Sequence, residues 1–472
     1  MKIKAIKIVC FVLIFCVLLY SVSRVLRFKY HGGIKPVDVF YQQPKKSIDV
    51  LFIGSSRVYC DIIPYVLFND YGISSFNLTS DYQPLWHSYF FIKEALKTQK
   101  PKLIIIEVFT TEIYNDYATD AEIIKFAYGL KWSLNKINAL KISSPKNRWN
   151  EFINPFYQYH NRYSSLISDD FFRNNIDYKS YKGYHLINWT KKFQRPYVNN
   201  VTNYVKLHNK TEEYYRKTIE LVKNNDIPLI LTISPYPAFN ENRQKIFNTA
   251  KKIADEYNVP FINFNFNYDD YNLDFNTDFA DNSHLNYKGA IKLTRYLGKY
   301  LKENYDLPDR RGDPKYYSWE MNAKYEYKKT YNFELKQYSN LNEYLKRIKD
   351  ADDYVIGITM LGNYQNNDAV VQSIASNFNI NDIYLQNASY AIDNNKLIYS
   401  SSGSNKYLFY DEIGSYDDLV IDSGQKLSIN RGNYIRTQNG INIVIYDKFT
   451  EEIVDNIYLE YQGNSINPAI KR

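Results

Sequence analysis

Cysteine is nearly absent from this chain of 472 residues: there are three, and two of them, Cys10 and Cys16, lie in one apolar run near the N-terminus. Cys60 is therefore the only thiol of the remainder, which excludes an internal disulfide there and with it a small disulfide-stapled secreted domain. A body of this size does not need such staples. Histidine is scarce, at six residues, and no His/Cys cluster with metal-site spacing occurs. The acidic stretch Asp269, Asp270, Asp274 and Asp278 lacks the spacing and the glycine of a calcium loop. No Walker A and no Gly-x-Gly-x-x-Gly sequence is present, so nothing supports nucleotide binding, and no metal or organic cofactor is expected. Low-complexity tracts and repeats of 20–50 residues are missing as well, and with 45% hydrophobic and 23% charged residues the chain is globular rather than disordered.

Negative charge is absent from the first thirty residues, which hold Lys2, Lys4, Lys7, Arg24, Arg27 and Lys29 and no acid. They account for most of the formal net charge of +8; residues 31–310 carry 36 basic and 30 acidic residues, and 311–472 carry 17 and 21. The basicity is thus a collar around one apolar run, Ile8–Tyr20, and gives no support to nucleic-acid binding. Counted from Ala5 to Val22 the run has eighteen residues, near the lower limit for crossing ~30 Å of hydrocarbon. No small-residue cleavage site follows it, so residues 1–30 read as an uncleaved single-pass anchor rather than a signal peptide. Three cations flank each side, which leaves the positive-inside rule tied. The short N-terminal tail favours a cytoplasmic N-terminus, with the body outside the cell membrane.

Beyond the anchor, apolar runs of strand length occur at 48–53, 75–78, 103–108, 228–233 and 260–264. Segments with helical spacing separate and follow them, at 62–70, 85–97, 212–224, 240–257 and 286–303. Near-continuous apolar strands alternating with helices predict an α/β domain over 31–305, a flavodoxin-like α/β/α arrangement on a parallel five-stranded sheet. About 100 residues between the third and fourth strands, 112–210, read as a largely helical insertion with helical patches near 119–142 and 147–168. A Pro- and charge-rich stretch, 306–317, reads as a linker. Short alternating runs at 354–358, 383–385, 406–410, 441–446 and 457–461 then predict a β-rich second domain over 318–472. The 48 tyrosines suit sugar stacking, but a genome-wide bias towards Asn, Lys, Ile and Tyr is the simpler explanation.

Two clusters carry chemistry. Gly54-Ser55-Ser56-Arg57 follows the first strand, at the strand end where α/β sheets bind ligands. Alone it is weak, because serine is a common helix cap. Asp281-Asn282-Ser283-His284 follows the last strand and precedes the last helix. An Asp and a His three residues apart can meet on one turn, so the carboxylate can orient an imidazole that activates a serine. Jointly they make Ser56, His284 and Asp281 the candidate catalytic residues. Arg57 reads either as an anion-binding residue or as a solvated or packing arginine; Cys60 and Glu107 read as structural.

The strand-terminal Gly54-Ser55-Ser56 and the later Asp281-x-x-His284, continued by Leu285-Asn286 and Gly289-Ala290, resemble the SGNH (GDSL-like) hydrolase superfamily. The likeness spans about 48–303 and extends to membrane-anchored members, the D-alanyl-transfer protein of teichoic acid modification and polysaccharide O-acetyltransferases. It implies Ser56 as nucleophile, His284 as base and Asp281 as its partner, with backbone N–H groups of Ser56 and of Tyr82, which stands near the family's second-block glycine, as oxyanion hole. The third-block asparagine has no counterpart in Glu107-Val108-Phe109-Thr110-Thr111. In the second domain, Asp353-Tyr354, Ser389–Ile392, 439–447 and Val454-Asp455 resemble the interleukin-like EMT inducer domain, which implies a β-rich module of a kind linked to glycan binding. The resemblance implies a membrane-anchored enzyme that transfers or removes O-acyl groups, chiefly O-acetyl, on a cell-envelope polysaccharide or teichoic acid. A membrane-bound O-acyltransferase would be the acyl-donor partner. A non-catalytic scaffold or glycan-binding protein on a degenerate fold of this kind is the alternative.

Overall fold

The computed structural model describes residues 2–27, 32–153, 156–166, 168–171, 181–197, 199–363, 368–381, 386–401, 408–414, 417–422, 426–463 and 465–472. Contacts divide the chain into two units, Met1–Ala323 and Lys324–Arg472.

The first unit opens with α1 (Lys2–Leu26), of which Lys4–Leu26, with mean hydropathy 2.7 and no buried residue in its most apolar window, is long and apolar enough to cross a membrane. After α2 (Ile34–Phe40) come β1 (Val50–Gly54), α3 (Ser56–Asp61), α4 (Pro64–Tyr71), β2 (Ser75–Thr79), α5 (Leu85–Ala95) and β3 (Leu103–Glu107). The sheet is completed by β4 (Leu229–Ile233) and β5 (Phe261–Asn263), and every pairing is parallel in the order β2-β1-β3-β4-β5. Every residue of β1 to β4 is buried, as expected for strands covered on both faces. Five parallel strands in this order, alternating with helices, make a flavodoxin-like α/β fold.

The insertion departs from the sequence reading. Its first part holds α6 (Asp120–Ala127), started by a Thr119/Glu122 capping box, α7 (Leu134–Ser143) and α8 (Trp149–Ile153). Residues 181–197 and 199–208 contain neither helix nor strand, and helix resumes only with α9 (Asn209–Lys223). This part has no helical periodicity, and its backbone groups bond to other segments instead: His185 N–H to Tyr59 O (2.7 Å), Lys191 N–H to Phe279 O (2.8 Å) and Phe193 N–H to Phe275 O (2.9 Å). It is a strap across the carboxyl end of the sheet. The helices α10 (Glu241–Glu256) and α11 (Tyr287–Asn304) follow β4 and β5.

The stretch read as a linker, 306–317, is packed instead. Leu307 and Tyr316 belong to the core of the α/β unit, and Arg310 pairs with both oxygens of Asp49 (2.7 and 2.8 Å). Trp319 Nε1 donates to Ser75 O (2.9 Å), and the division between units falls later, inside α12 (Tyr317–Leu335). Apolar anchors spaced along a charged stretch hold it down; the charges alone suggest solvent.

The second unit is antiparallel. Its larger sheet contains β6 (Tyr354–Asn363), β7 (Gln386–Asp393), β8 (Lys396–Ser401), Gly440–Asp447 and Glu452–Gln462. Along β6, Ile356, Ile358 and Met360 join one core with Leu345, Ile348, Val371 and Ile374 of two helices. Val355 faces a second core with Leu419, Ile421, Leu427 and Ile429 of a four-stranded sheet. That alternation is the period-two pattern of a sheet buried on both faces. The runs at 383–385 and 406–407 lie outside the described residues.

Candidate active site

The site forms where β1 lies between β2 and β3, the point at which the strand order reverses. Gly54 ends β1 at φ 158°; a Cβ there would sit 2.6 Å from Val58 Cγ2 and 2.9 Å from Glu107 Cβ, so α3 can close onto the strand only over glycine. Ser56 is the first residue of α3, partly exposed at the carboxyl end of the sheet.

His284 and Asp281 come from the loop between β5 and α11. The loop is pinned on several sides. Ala280 N–H donates to His284 O (3.1 Å), Asn286 caps α11 through Lys288 N–H (3.0 Å), and Asn286 Nδ2 donates to Thr277 O (2.8 Å) and to Thr190 Oγ1 of the strap (2.9 Å). Leu285 N–H donates to Asp61 Oδ1 (3.0 Å), which ties the residue after His284 to the helix that carries Ser56. The result brings the three candidates together. His284 Nε2 lies 2.8 Å from Ser56 Oγ, and His284 Nδ1 lies 3.0 Å from Asp281 Oδ2. Asp281 Oδ1 also accepts the N–H groups of Ser283 (2.7 Å) and His284 (2.9 Å). Burial raises the Asp281 pKa, but these hydrogen bonds and the neighbouring imidazole outweigh it and hold the carboxyl below its ordinary value. The side chains of His284 and Asp281 are 22% and 42% exposed, so a substrate can reach them.

Beneath Ser56 lies a cluster of buried ionisable groups. Arg57 is 1% exposed, its guanidinium packed against the rings of Phe109 (3.8 Å) and Tyr236 (3.9 Å), which stand at right angles to each other. Of the readings open to it, burial excludes the solvated one and packing against these rings is observed. Neither Nη has a hydrogen-bond partner among the described residues. Desolvation pushes Glu107 up to about 7 against the opposing pull of Arg57, and pushes Asp61 well above the usual carboxylate range. A cavity of about 10 Å³ touching Glu107 and Ser234 has room for a single water. Cys60 is buried with Ile187 and Ala280, and burial raises its thiol pKa, which matches a structural role.

Tyr82 adopts φ 45°, the left-handed region that favours glycine, in the loop after β2. The loop is held by Asp81, whose carboxylate receives Tyr59 Oη of α3 and Lys125 Nζ of α6, and by Gln83 Nε2 donating to Ser88 Oγ (2.9 Å). Among the described residues no acceptor is found for the N–H of Ser56 or of Tyr82. Nearby, Arg243 pairs with Glu112 (3.2 Å). Asp61, Tyr236 and the Asp81 tie escape sequence reasoning because their partners are far away in the chain, Leu285 standing 224 residues from Asp61. Among the described residues no group of three or more His, Cys, Asp or Glu is placed to hold a metal ion.

No protein-family model matches the chain, and no curated protein sequence does. Among solved structures it is similar to a Bacteroides fragilis protein assigned as an acylhydrolase, at 13% identity and TM-score 0.29, covering 59% of this chain and 99% of that one. It is also similar to a GDSL-like lipase from Bacteroides thetaiotaomicron (13%, TM-score 0.24, covering 54% and 87%). A third is a mutant acetyl-xylooligosaccharide esterase from a Geobacillus (14%, TM-score 0.27, covering 55% and 95%).

Proposed function

We propose that this chain is a membrane-anchored serine acyl-ester enzyme in which Ser56 is the nucleophile, His284 the general base and Asp281 its orienting partner. The observation that carries the reading is the continuous link Ser56 Oγ–His284 Nε2 (2.8 Å) and His284 Nδ1–Asp281 Oδ2 (3.0 Å), built from segments 228 residues apart. A serine hydroxyl is a poor nucleophile until a base takes its proton, and an oriented imidazole within hydrogen-bond reach is that base.

Ser56 Oγ attacks the acyl carbonyl while His284 Nε2 takes its proton, and the Asp281 carboxylate supports the imidazolium through Nδ1–H. The tetrahedral oxyanion is met by the N–H groups of Ser56 and Tyr82. A donor needs only its backbone N–H here, so a tyrosine can replace the glycine. Collapse expels the leaving alkoxide, protonated by His284, and leaves the acyl group on Ser56. A second hydroxyl, from a sugar or from water, then attacks the ester as His284 takes its proton, and Ser56 is restored. The acyl group is O-acetyl or a close relative, on a cell-envelope polysaccharide or teichoic acid. The apolar helix Lys4–Leu26 supports a single-pass anchor. In this reading the N-terminus is cytoplasmic and the site lies outside, where a membrane-bound O-acyltransferase delivers the acyl groups.

The test is labelling of the purified full chain with a fluorophosphonate probe. Wild type labels at Ser56; Ser56→Ala and His284→Ala do not. A wild-type chain that never labels, in cells whose envelope acylation is unchanged by Ser56→Ala, would favour the scaffold reading.

A further inference from the structure

A second pocket, of about 730 Å³, lies away from Ser56 beside the last turns of α1. One wall is α1 itself. Cys16, Leu19 and Tyr20 come from its apolar stretch, and Ser23, Arg24 and Arg27 from its end. At 1.5 Å per residue this wall runs ~16 Å along the helix, from hydrocarbon depth to the polar boundary. The opposite wall comes from α2 and from residues 128–136, with Trp132 exposed.

The two walls are fixed to each other. Arg27 pairs with both carboxylate oxygens of Asp38 (2.8 and 2.9 Å), and the Arg162 guanidinium donates to Leu26 O (3.2 Å) and Arg27 O (3.0 Å), capping the carbonyl end of α1. Gly129 lets its loop close onto α2, since a Cβ there would stand 2.7 Å from Val37 Cβ.

The lining holds Lys131 and Lys136 beside the one carboxylate of Asp38, both of whose oxygens Arg27 engages. Among the described residues no carboxylate pairs with Lys131 or Lys136. Lys136 is 4% exposed, and its Nζ donates to Leu130 O (2.9 Å) and lies 4.8 Å from the Trp132 ring. Burial and the nearby Arg27 pull its pKa down to about 8, against the opposing pull of Asp38. A ligand that fits must be apolar beside Leu19 and anionic beside Lys131 and Lys136, with an interfacial tryptophan at its side.

We propose that this pocket binds an anionic membrane lipid, its phosphate headgroup against Lys131 and Lys136 and its chains along α1. The proposal rests on α1 being membrane-embedded and is independent of the chemistry assigned to Ser56. Occupancy would fix the height and tilt of the α/β unit on its anchor.

The test uses the full chain in vesicles of mixed phosphatidylglycerol and phosphatidylcholine, with bromine on the chains of one lipid or of the other. The readout is the fluorescence quenching that disappears in Trp132→Phe. Brominated phosphatidylglycerol is expected to quench Trp132 more than brominated phosphatidylcholine does. Lys131→Gln, an exposed change that spares the fold, should weaken the apparent affinity for phosphatidylglycerol about fivefold. Equal quenching by the two lipids, or a preference that persists in Lys131→Gln with Arg24→Gln, would overturn the proposal. Loss of the preference on adding inorganic phosphate would overturn it in favour of a soluble phosphate site. A chain that does not float with the vesicles at all would instead refute the anchor.

Discussion

The two units bury polar groups in different ways. In Lys324–Arg472 several buried polar side chains form hydrogen-bonded networks, although Arg347 Nε, Ser401 Oγ, Thr450 Oγ1 and Tyr461 Oη have no partner among the described residues. Asn332 Nδ2 donates to Asp447 Oδ2 (2.6 Å), Tyr354 Oη donates to Asn332 Oδ1 (2.6 Å), Tyr344 Oη donates to Asp455 Oδ2 (3.0 Å), and Asn442 Oδ1 accepts the N–H groups of Arg436 (2.7 Å) and Thr437 (2.8 Å). In the α/β unit Arg57, Asp61 and Glu107 are as deeply buried, yet Arg57 Nη1 and Nη2, Asp61 Oδ2 and Glu107 Oε2 have no hydrogen bond of ordinary geometry among the described residues. Satisfied networks specify a fold; unsatisfied ionisable groups cost stability and gather where chemistry is done. The unsatisfied cluster lies under Ser56, at the end of the sheet where Ser56, His284 and Asp281 meet.

The sharpest way to break this contrast is to disable the exposed residues above the cluster. His284→Ala is expected to lower turnover of an activated aryl ester by about 10⁴-fold while leaving the melting temperature nearly unchanged. A large loss of stability with little loss of turnover would mean that the histidine is structural, like the buried groups of the second unit. The next effect belongs to Glu107. Its carboxyl is raised from 4.5 to about 7 by burial, so the folded state holds the proton more tightly than the unfolded state. Stability from this group is complete below pH 4.5 and is lost as pH rises through 7, by about 3 kcal/mol in all. Glu107→Gln should flatten the pH dependence of chemical denaturation between pH 5 and pH 8, and an unchanged slope would contradict the assignment.

Asn332→Ala tests the other side of the comparison. It removes the partner of Asp447 Oδ2 and of Tyr354 Oη, and should cost roughly 1–3 kcal/mol with ester turnover unaltered. Denaturant titration and a kinetic assay of the same preparation separate the two. The smallest effect is expected from Tyr82→Gly. The backbone N–H remains and a left-handed residue becomes glycine, so turnover should stay within about threefold and stability within about 1 kcal/mol. A large drop in turnover would show that the phenol itself contributes.

Much of this was legible in the sequence for a physical reason: strands buried on both faces are mostly apolar, so β1, β3 and β4 appear as runs such as 103–106, and their helices by spacing. The pair Asp281/His284 was legible because its partners are neighbours in the chain. What was hidden depends on contacts distant in sequence. The strap 181–193 has no periodicity, since its backbone bonds go to Tyr59, Phe275 and Phe279. The stretch around Arg310 looks like a linker until Asp49 is found beside it. Arg57, next to Ser56, invites a substrate-binding reading, and only the rings of Phe109 and Tyr236 show it to be sealed.

The central claim is that Ser56 becomes acylated. The most direct measurement is acid quenching of the full chain during turnover of an aryl acetate, followed by peptide mass analysis. The account predicts the mass of one acetyl group on the peptide carrying Ser56, present in wild type, absent in Ser56→Ala and accumulating when the acceptor hydroxyl is limiting. Turnover without acylation at Ser56, or the same adduct on another residue in both proteins, would contradict it.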